Sequence, residues 1–405
     1  MHAYRGRNKA MSDHKLISVL HFSNETVRGG AEEHMLMLLR KLDRRRFRIH
    51  LVCPPELIEQ FGSDVPSDVE VVPLSFTSPL QASTAARFAR ILRRRLVDVV
   101  HSHMFRASLA ASPTAWFCRV PVTIETAHVR EHWRTGLKSS FFVDRLAGRF
   151  VSAYIAVSNA TGQYLMEEKR LPKGKVTVVR NGCDVSNFQP DHPLPPSLKR
   201  SLGFSEADRV LVVAARLETQ KGHRVLLEAF PAIVREFPAV KLVCVGDGQL
   251  RGELEEQTRA LGLNASVRFV GYQSNVRDWL ALAEFTVLPS FYEGLPLTAI
   301  ESLAAGRTVI ATAVDGTTEV VVDHKTGLTV PAGNATLLTQ AITYLLRHAE
   351  LRTNLAKAGR RWVVDNFSQE QQVRQTEELY LRALERYCPR PGLFLHGSRV
   401  HPNTD

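Results

Sequence analysis

Short runs of β-branched and other apolar residues recur along the chain, separated by longer stretches in which apolar positions return every three to four residues. In the first half the short runs are LISVLHF, FRIHLVC, VEVVPL, VDVVHSH, PVTIETA, AYIAVS and VTVVR. Alternation of such runs with helical stretches predicts parallel strands joined by crossover helices. A segment beginning at Asn181, NGCDVSNFQPDHPLPPSLKR, interrupts the pattern, because its prolines and polar residues cannot continue a strand or a helix for long. It reads as a linker. The pattern then restarts with RVLVVAAR, VKLVCVG, SVRFVGY, FTVLPS, TVIAT and GLTV, separated by helical stretches such as HRVLLEAFPAIVREF and LRGELEEQTRALG. The predicted class is α/β, with two doubly wound units in series. An amphipathic segment from about Ser368 to Tyr387 lies beyond the last strand, and the aperiodic tail after it is expected to fray.

Length and composition agree with that division. The chain has 405 residues, 44% hydrophobic and 23% charged, too long for one core and too apolar for disorder, so two domains of roughly 150 to 200 residues are expected. Its formal net charge of +11 favours polyanionic partners without choosing among nucleotide diphosphates, acidic lipids and nucleic acid. There is no helix-turn-helix, zinc-finger or RNP pattern, so no nucleic-acid partner is expected. Five scattered cysteines without a CxxC pair indicate neither a disulfide framework nor a zinc site and fit a reducing cytoplasm. No run of about 18 or more apolar residues occurs, so no spanning helix is predicted.

The segment richest in chemistry is PSFYEGLPLTAIE, residues 289–301, which follows a strand and opens a helix. Pro296 suits the first helical position and leaves nearby backbone N–H groups available to an anion. Glu293 stands just ahead of that helix and Glu301 over one turn inside it, so both carboxylates can face one ligand. The alternative is that Glu293 caps the helix and Glu301 is solvated. Arg216 and Lys221 follow the first strand of the same domain, and in a parallel sheet ligands gather at the carboxyl ends of strands. A departing diphosphate needs either a divalent ion, commonly on an Asp-x-Asp motif, or fixed Arg and Lys charges. The sequence contains no Asp-x-Asp.

On these residues the chain resembles the retaining glycosyltransferases of GT-B fold, glycosyltransferase family 4. The family's pair of glutamates separated by seven residues is met by Glu293 and Glu301. The resemblance runs from the Gly29-Gly30-Ala31-Glu32 loop to the C-terminal helix. It implies two Rossmann-like domains facing a deep cleft, and a nucleotide-diphosphate sugar as donor with no metal and no cofactor. It also implies roles: Arg216 and Lys221 on the diphosphate, Gly294, Leu295 and Pro296 close to the donor, and Glu301 on the ribose. Gly29 and Gly30, and the later Gly246-Asp247-Gly248, match donor loops. Glu293, Arg216, Lys221 and His128 are the catalytic candidates. His128, at a strand end, falls beside the donor sugar and the acceptor. His103 is a further acceptor-side candidate, with a buried, hydrogen-bonded role for the His101 and His103 pair as the alternative. Asn181, Gly182 and Asp184 match a segment at the domain junction. The last helix is expected to cross back, which sets the domains at 14–188 with 369–388, and at 189–368. Residues 1–13 and 389–405 are read as flexible ends.

The implied activity is transfer of a hexose-type sugar from a UDP- or GDP-linked donor to a glycan or lipid-linked acceptor. Surface polysaccharide or glycolipid assembly is the expected setting. A sugar-nucleotide epimerase of related architecture and a catalytically silent polyanion-binding module are the competing readings. Arg44 to Arg46 and the segment with Arg87, Arg90, Arg93, Arg94 and Arg95 suggest a reversible contact with an anionic membrane on its cytoplasmic face, or simply a solvated helix face.

Overall fold

The computed structural model describes residues 16–78, 81–131, 141–195 and 197–388. The expected flexible ends, 1–13 and 389–405, lie outside these. The first sheet contains β1 Ile17–Phe22, β2 Phe47–Cys53, β3 Glu70–Pro73, β4 Val99–His103, β5 Val122–Ala127, β6 Ala153–Ala156 and β7 Val176–Val178. They are parallel and hydrogen-bonded in the order β3-β2-β1-β4-β5-β6-β7. The second contains β8 Arg209–Ala214, β9 Val240–Val245, β10 Val267–Phe269, β11 Phe285–Leu288, β12 Val309–Thr312 and β13 Gly327–Val330, in the parallel order β10-β9-β8-β11-β12-β13. Every strand foreseen from the apolar runs is present. Helices cover the sheets, so β1, β4, β5, β6, β11 and β12 are buried along their whole length.

The strand order reverses between β1 and β4 in one sheet and between β8 and β11 in the other. Loops leaving adjacent strands at such a point diverge to opposite faces and leave a crevice at the strands' carboxyl ends. The donor-side residues picked out above follow β1, β8 and β11 of these strands, except Gly246 and Gly248, which follow β9.

The chain crosses between the domains twice, at 181–184 and again at 367–369. The two crossings are hydrogen-bonded to each other: Cys183 N–H donates to the Phe367 carbonyl at 3.0 Å and Gln369 N–H to the Cys183 carbonyl at 3.1 Å. A Cβ on Gly182 would overlap the Ser368 carbonyl, so only glycine lets the crossings come this close. After the second crossing, the helix Gln369–Tyr387 places Val373, Leu379, Tyr380, Ala383 and Leu384 in the core of the first sheet, together with Val19, Leu38 and Phe47. Ser368 caps this helix by accepting from Gln371 N–H at 3.2 Å. Tyr380 is fully buried, edge-on to Phe47, with its hydroxyl 2.6 Å from His101 Nδ1.

Replacing Tyr380 therefore tests how far the last helix belongs to the first core. Tyr380→Ala is expected to cost about 3 to 5 kcal/mol, and Tyr380→Phe about 1 to 3 kcal/mol through the stranded imidazole nitrogen. Urea unfolding measures both. A wild-type midpoint for Tyr380→Ala would show that the helix contributes nothing to that core.

Candidate functional site

The donor-side residues meet at the carboxyl ends of β8 and β11. Lys221 follows β8 in a short 3-10 turn, Thr219–Lys221, and its Nζ lies 2.6 Å from Glu293 Oε1. Ser290 Oγ donates to the same oxygen at 2.8 Å, and the Glu293 N–H donates to Asp315 Oδ2 at 3.2 Å. Glu293 is thus a buried carboxylate held through one oxygen by Lys221 and Ser290 rather than a helix cap. The helix itself spans Leu297–Ala304, with Pro296 at the capping position, one residue ahead of its expected place. Proline's fixed φ suits either position, and the extended ψ of 110° at Pro296 is what delays the first helical turn. The Lys221 loop is pressed onto this segment: Phe291 N–H donates to the Gln220 carbonyl at 2.8 Å, and Gly222, at φ +66°, has no room for a Cβ against the Pro289 carbonyl.

Glu301 lies in the second turn of the helix. Burial pushes its carboxyl up to about 8, and the like charge of Glu33, across the cleft, adds to the shift. Arg216 stays partly exposed, paired with Glu218 at 2.9 Å. It faces the first domain, since a Cβ on Gly29 would stand 3.5 Å from its Nε and 3.4 Å from Glu32 Oε2. The glycine loop thus opposes the cation of the second domain, and Gly30 begins the helix Gly30–Lys41, one residue before the expected Ala31. Glu32 is buried behind the loop, and desolvation raises its carboxyl to about 7 despite Arg216. Gly246 and Gly248 carry the loop after β9 tightly against the chain after β8: each would place a Cβ on a backbone carbonyl, of Ala215 and Leu217 respectively.

On the first-domain side, the His128 main-chain carbonyl touches Gly294, leaving no space there for any side chain. Leu295 and Pro296 are buried beside it, with Leu295 in an apolar cluster that includes Val157 of the first domain. His103 does not line the cleft. It is fully buried beneath His128, so the hydrogen-bonded alternative holds for both members of the β4 pair. His128 Nε2 is 3.3 Å from His103 Nδ1, and His103 Nε2 is 3.1 Å from His21 Nδ1. Burial keeps these imidazoles neutral, lowering His21 to about 3 and holding His103 and His128 well below the usual range. A neutral ring carries one N–H, so the chain must run in one direction. His21 Nε2 has no partner among the described residues, and an orphaned lone pair there costs less than an orphaned N–H. His21 therefore donates to His103, His103 donates to His128, and His128 keeps its proton on Nδ1. Nitrogens of His21, His101 and His103, and of His34, His103 and His128, lie close enough to share a metal ion. The His101 nitrogens, however, are both engaged, by Tyr380 and Thr126, and those of His103 by its two neighbours.

Several participants carried no mark in the sequence. Asn181 was placed at the junction, but not as its hub: its Oδ1 is 2.8 Å from His34 Nδ1 and its Nδ2 donates to the Leu295 carbonyl at 3.3 Å. Gln372 of the last helix reaches His34 Nδ1 at 2.8 Å and accepts from Gly182 N–H at 2.7 Å. Glu319 of the second domain accepts from Asn159 and from Ala160 N–H, at 2.9 and 3.0 Å, and pairs with Arg180 at 3.3 Å. Position in the helix opened by the glycine loop could have flagged His34, and closeness to Glu293 in the motif could have flagged Ser290. Nothing local distinguishes Glu319.

Comparison with known proteins agrees with this geometry. Residues 28–187 match the model of Glycosyltransferase Family 4, and residues 196–362 match Glycosyl transferases group 1. The chain is 30% identical over 306 residues to the alpha-maltose-1-phosphate synthase of Mycolicibacterium smegmatis, covering 70% of this chain and 78% of that one. It is 22% identical over 380 residues to the UDP-Gal:alpha-D-GlcNAc-diphosphoundecaprenol alpha-1,3-galactosyltransferase of Escherichia coli, covering 91% and 98%. Among solved structures, Anabaena HepE in complex with UDP and glucose superposes with a TM-score of 0.78 at 20% identity, over 90% of this chain and 100% of that one. Two parallel sheets opposed across a glycine-lined cleft, matched along both domains, make this chain a member of the family 4 glycosyltransferases of GT-B fold.

Proposed function

We propose that this glycosyltransferase moves a hexose-type sugar from a UDP- or GDP-linked donor to a hydroxyl of a glycan or lipid-linked acceptor, with retention of configuration and without a divalent ion. The observation that carries the reading is the Lys221–Glu293 pair at the switch point, with Arg216 beside it facing the glycine loop. Glu293 uses one of the three ammonium donors of Lys221, leaving two for a phosphate. Arg216, partly exposed, supplies a second fixed charge, and the N-terminus of the helix Leu297–Ala304 supplies unpaired backbone donors. Fixed donors placed where negative charge develops need no reorganisation during reaction.

In the proposed step the bond between the anomeric carbon and the diphosphate oxygen breaks, and the electron pair leaves with the diphosphate. The acceptor oxygen bonds to the same face of the anomeric carbon, and its proton passes to the departing phosphate oxygen. Glu293 and the His128 Nδ1–H position the sugar, and Glu301 takes the ribose hydroxyls. The UDP and glucose bound by Anabaena HepE support a UDP-linked donor, and the diphosphoundecaprenol acceptor in the name of the E. coli relative supports a lipid-linked acceptor. In this reading the reaction takes place at a membrane surface.

Lys221→Ala is expected to lower kcat by about 100- to 1000-fold with the cognate nucleotide sugar, and EDTA is expected to leave the wild-type rate unchanged. A wild-type kcat in the variant removes the cation mechanism; abolition of turnover by EDTA removes metal independence. Glu301 gives a pH signature. Because its folded value of about 8 lies above its ordinary 4.5, the native protein retains a proton that the unfolded chain has lost, and stability falls as pH rises between those values. Glu301→Gln removes that contribution. The Tm of the variant without donor should therefore decline less than that of wild type from pH 5 to pH 8; parallel curves would show that Glu301 is not shifted.

A further inference from the structure

Large apolar side chains are concentrated on one flank of the first domain. Trp116 and Phe117 end the helix Phe105–Phe117 and are 54% and 69% exposed. Phe142, Val143 and Leu146 point outward from the helix Phe142–Ala147, which packs against the preceding helix, and Phe142 is 62% exposed. The two groups are joined through Phe150, whose ring lies 5.5 Å from that of Trp116. Beside Trp116, Phe117 and Phe150 is a groove of about 630 Å³ that Arg119, Arg149, Lys175 and Tyr387 also line.

The charge around this surface is of one sign. No acidic residue occurs from Phe105 to Pro121, and from Phe141 to Ser152 the one acid, Asp144, is buried against Lys169 at 2.8 Å. On the other side of the Trp116 helix, the helix Ala82–Arg94 brings Arg93 next to Cys118, with Arg90 and Arg94 also exposed. Arg95, by contrast, is turned away into a pair with Glu70. The basic helix noted in the sequence and the aromatic surface therefore form one continuous face.

We infer that this face docks the enzyme on an anionic phospholipid bilayer, with Trp116, Phe117, Phe142 and Leu146 entering the interfacial layer and the arginines on the headgroups. Aromatic rings of this kind favour the boundary between headgroups and acyl chains, and each cation near an anionic surface adds to the attraction. A second copy of the chain fits less well, because a two-fold pairing of this face would set its cations against themselves. No helix among the described residues is long and apolar enough to span a bilayer, so the contact is peripheral. Its purpose, though not its physics, rests on the proposed lipid-linked acceptor.

The test is co-sedimentation of the full chain with phosphatidylcholine vesicles and with vesicles of phosphatidylcholine and phosphatidylglycerol in equal parts. Binding is expected only to the anionic vesicles and should weaken with salt. Trp116→Ser with Phe117→Ser, and separately Arg119→Glu with Arg149→Glu, should each lower the apparent affinity about tenfold or more while leaving Tm unchanged. A folded aromatic variant that binds like wild type overturns the inference, as does equal binding to both vesicle types. Concentration-dependent dimerisation that the aromatic variant abolishes, without vesicle binding by wild type, overturns it in favour of self-association. Vesicle binding without transfer to any lipid-linked hydroxyl would sink the acceptor reading and leave the docking face standing.

Discussion

The pairing of the two interdomain crossings governs how the site is assembled. A strand sheet can hold a cation or a carboxylate at its own switch point, but bringing the switch points of two sheets opposite each other requires a shared pivot. The chain leaves at Gly182 and returns at Ser368, and hydrogen bonds on either side of Cys183 tie the outgoing and returning segments into one short ribbon. The helix after Ser368 is embedded in the first core, so the second domain is joined to the first through this ribbon. Asn181 sits on the ribbon and touches both sides of the cleft, His34 on one and the Leu295 carbonyl on the other.

Much of this architecture is legible in the sequence for a simple reason. Most of the strands are buried on both faces and are therefore rich in apolar, β-branched residues, so they announce themselves as short runs. The donor loops are legible because they combine residue types that are rarely adjacent without cause: glycines where backbones approach within bonding distance, a proline at a helix start, and cations after the first strand. His103 shows where such reasoning stops. A strand-end histidine looks the same whether its ring enters the cleft or lies beneath another ring, and only the stacking of β4 against β1 and β5 decides between them. Glu319 and Gln372 were invisible because their partners lie about 160 and 340 residues away in the chain.

The two carboxylates of the donor segment behave differently despite their common spacing. Glu293 is held by an ammonium and a hydroxyl, whereas burial keeps the Glu301 carboxyl protonated well above the usual carboxylate range. One segment thus carries a carboxylate paired to a cation and, one turn into the helix, a neutral, ionisable carboxyl. Beneath the opposite wall, neutral imidazoles present a floor without net charge. Lys221, paired with Glu293, and Arg216, opposite Gly29, lie between these walls.

The contact between the His128 carbonyl and Gly294 bears on catalysis in another way. With backbone meeting backbone, the jaws of the enzyme shut to their limit at this point. Even a single methyl group there would act as a doorstop, propping the halves apart along the whole cleft.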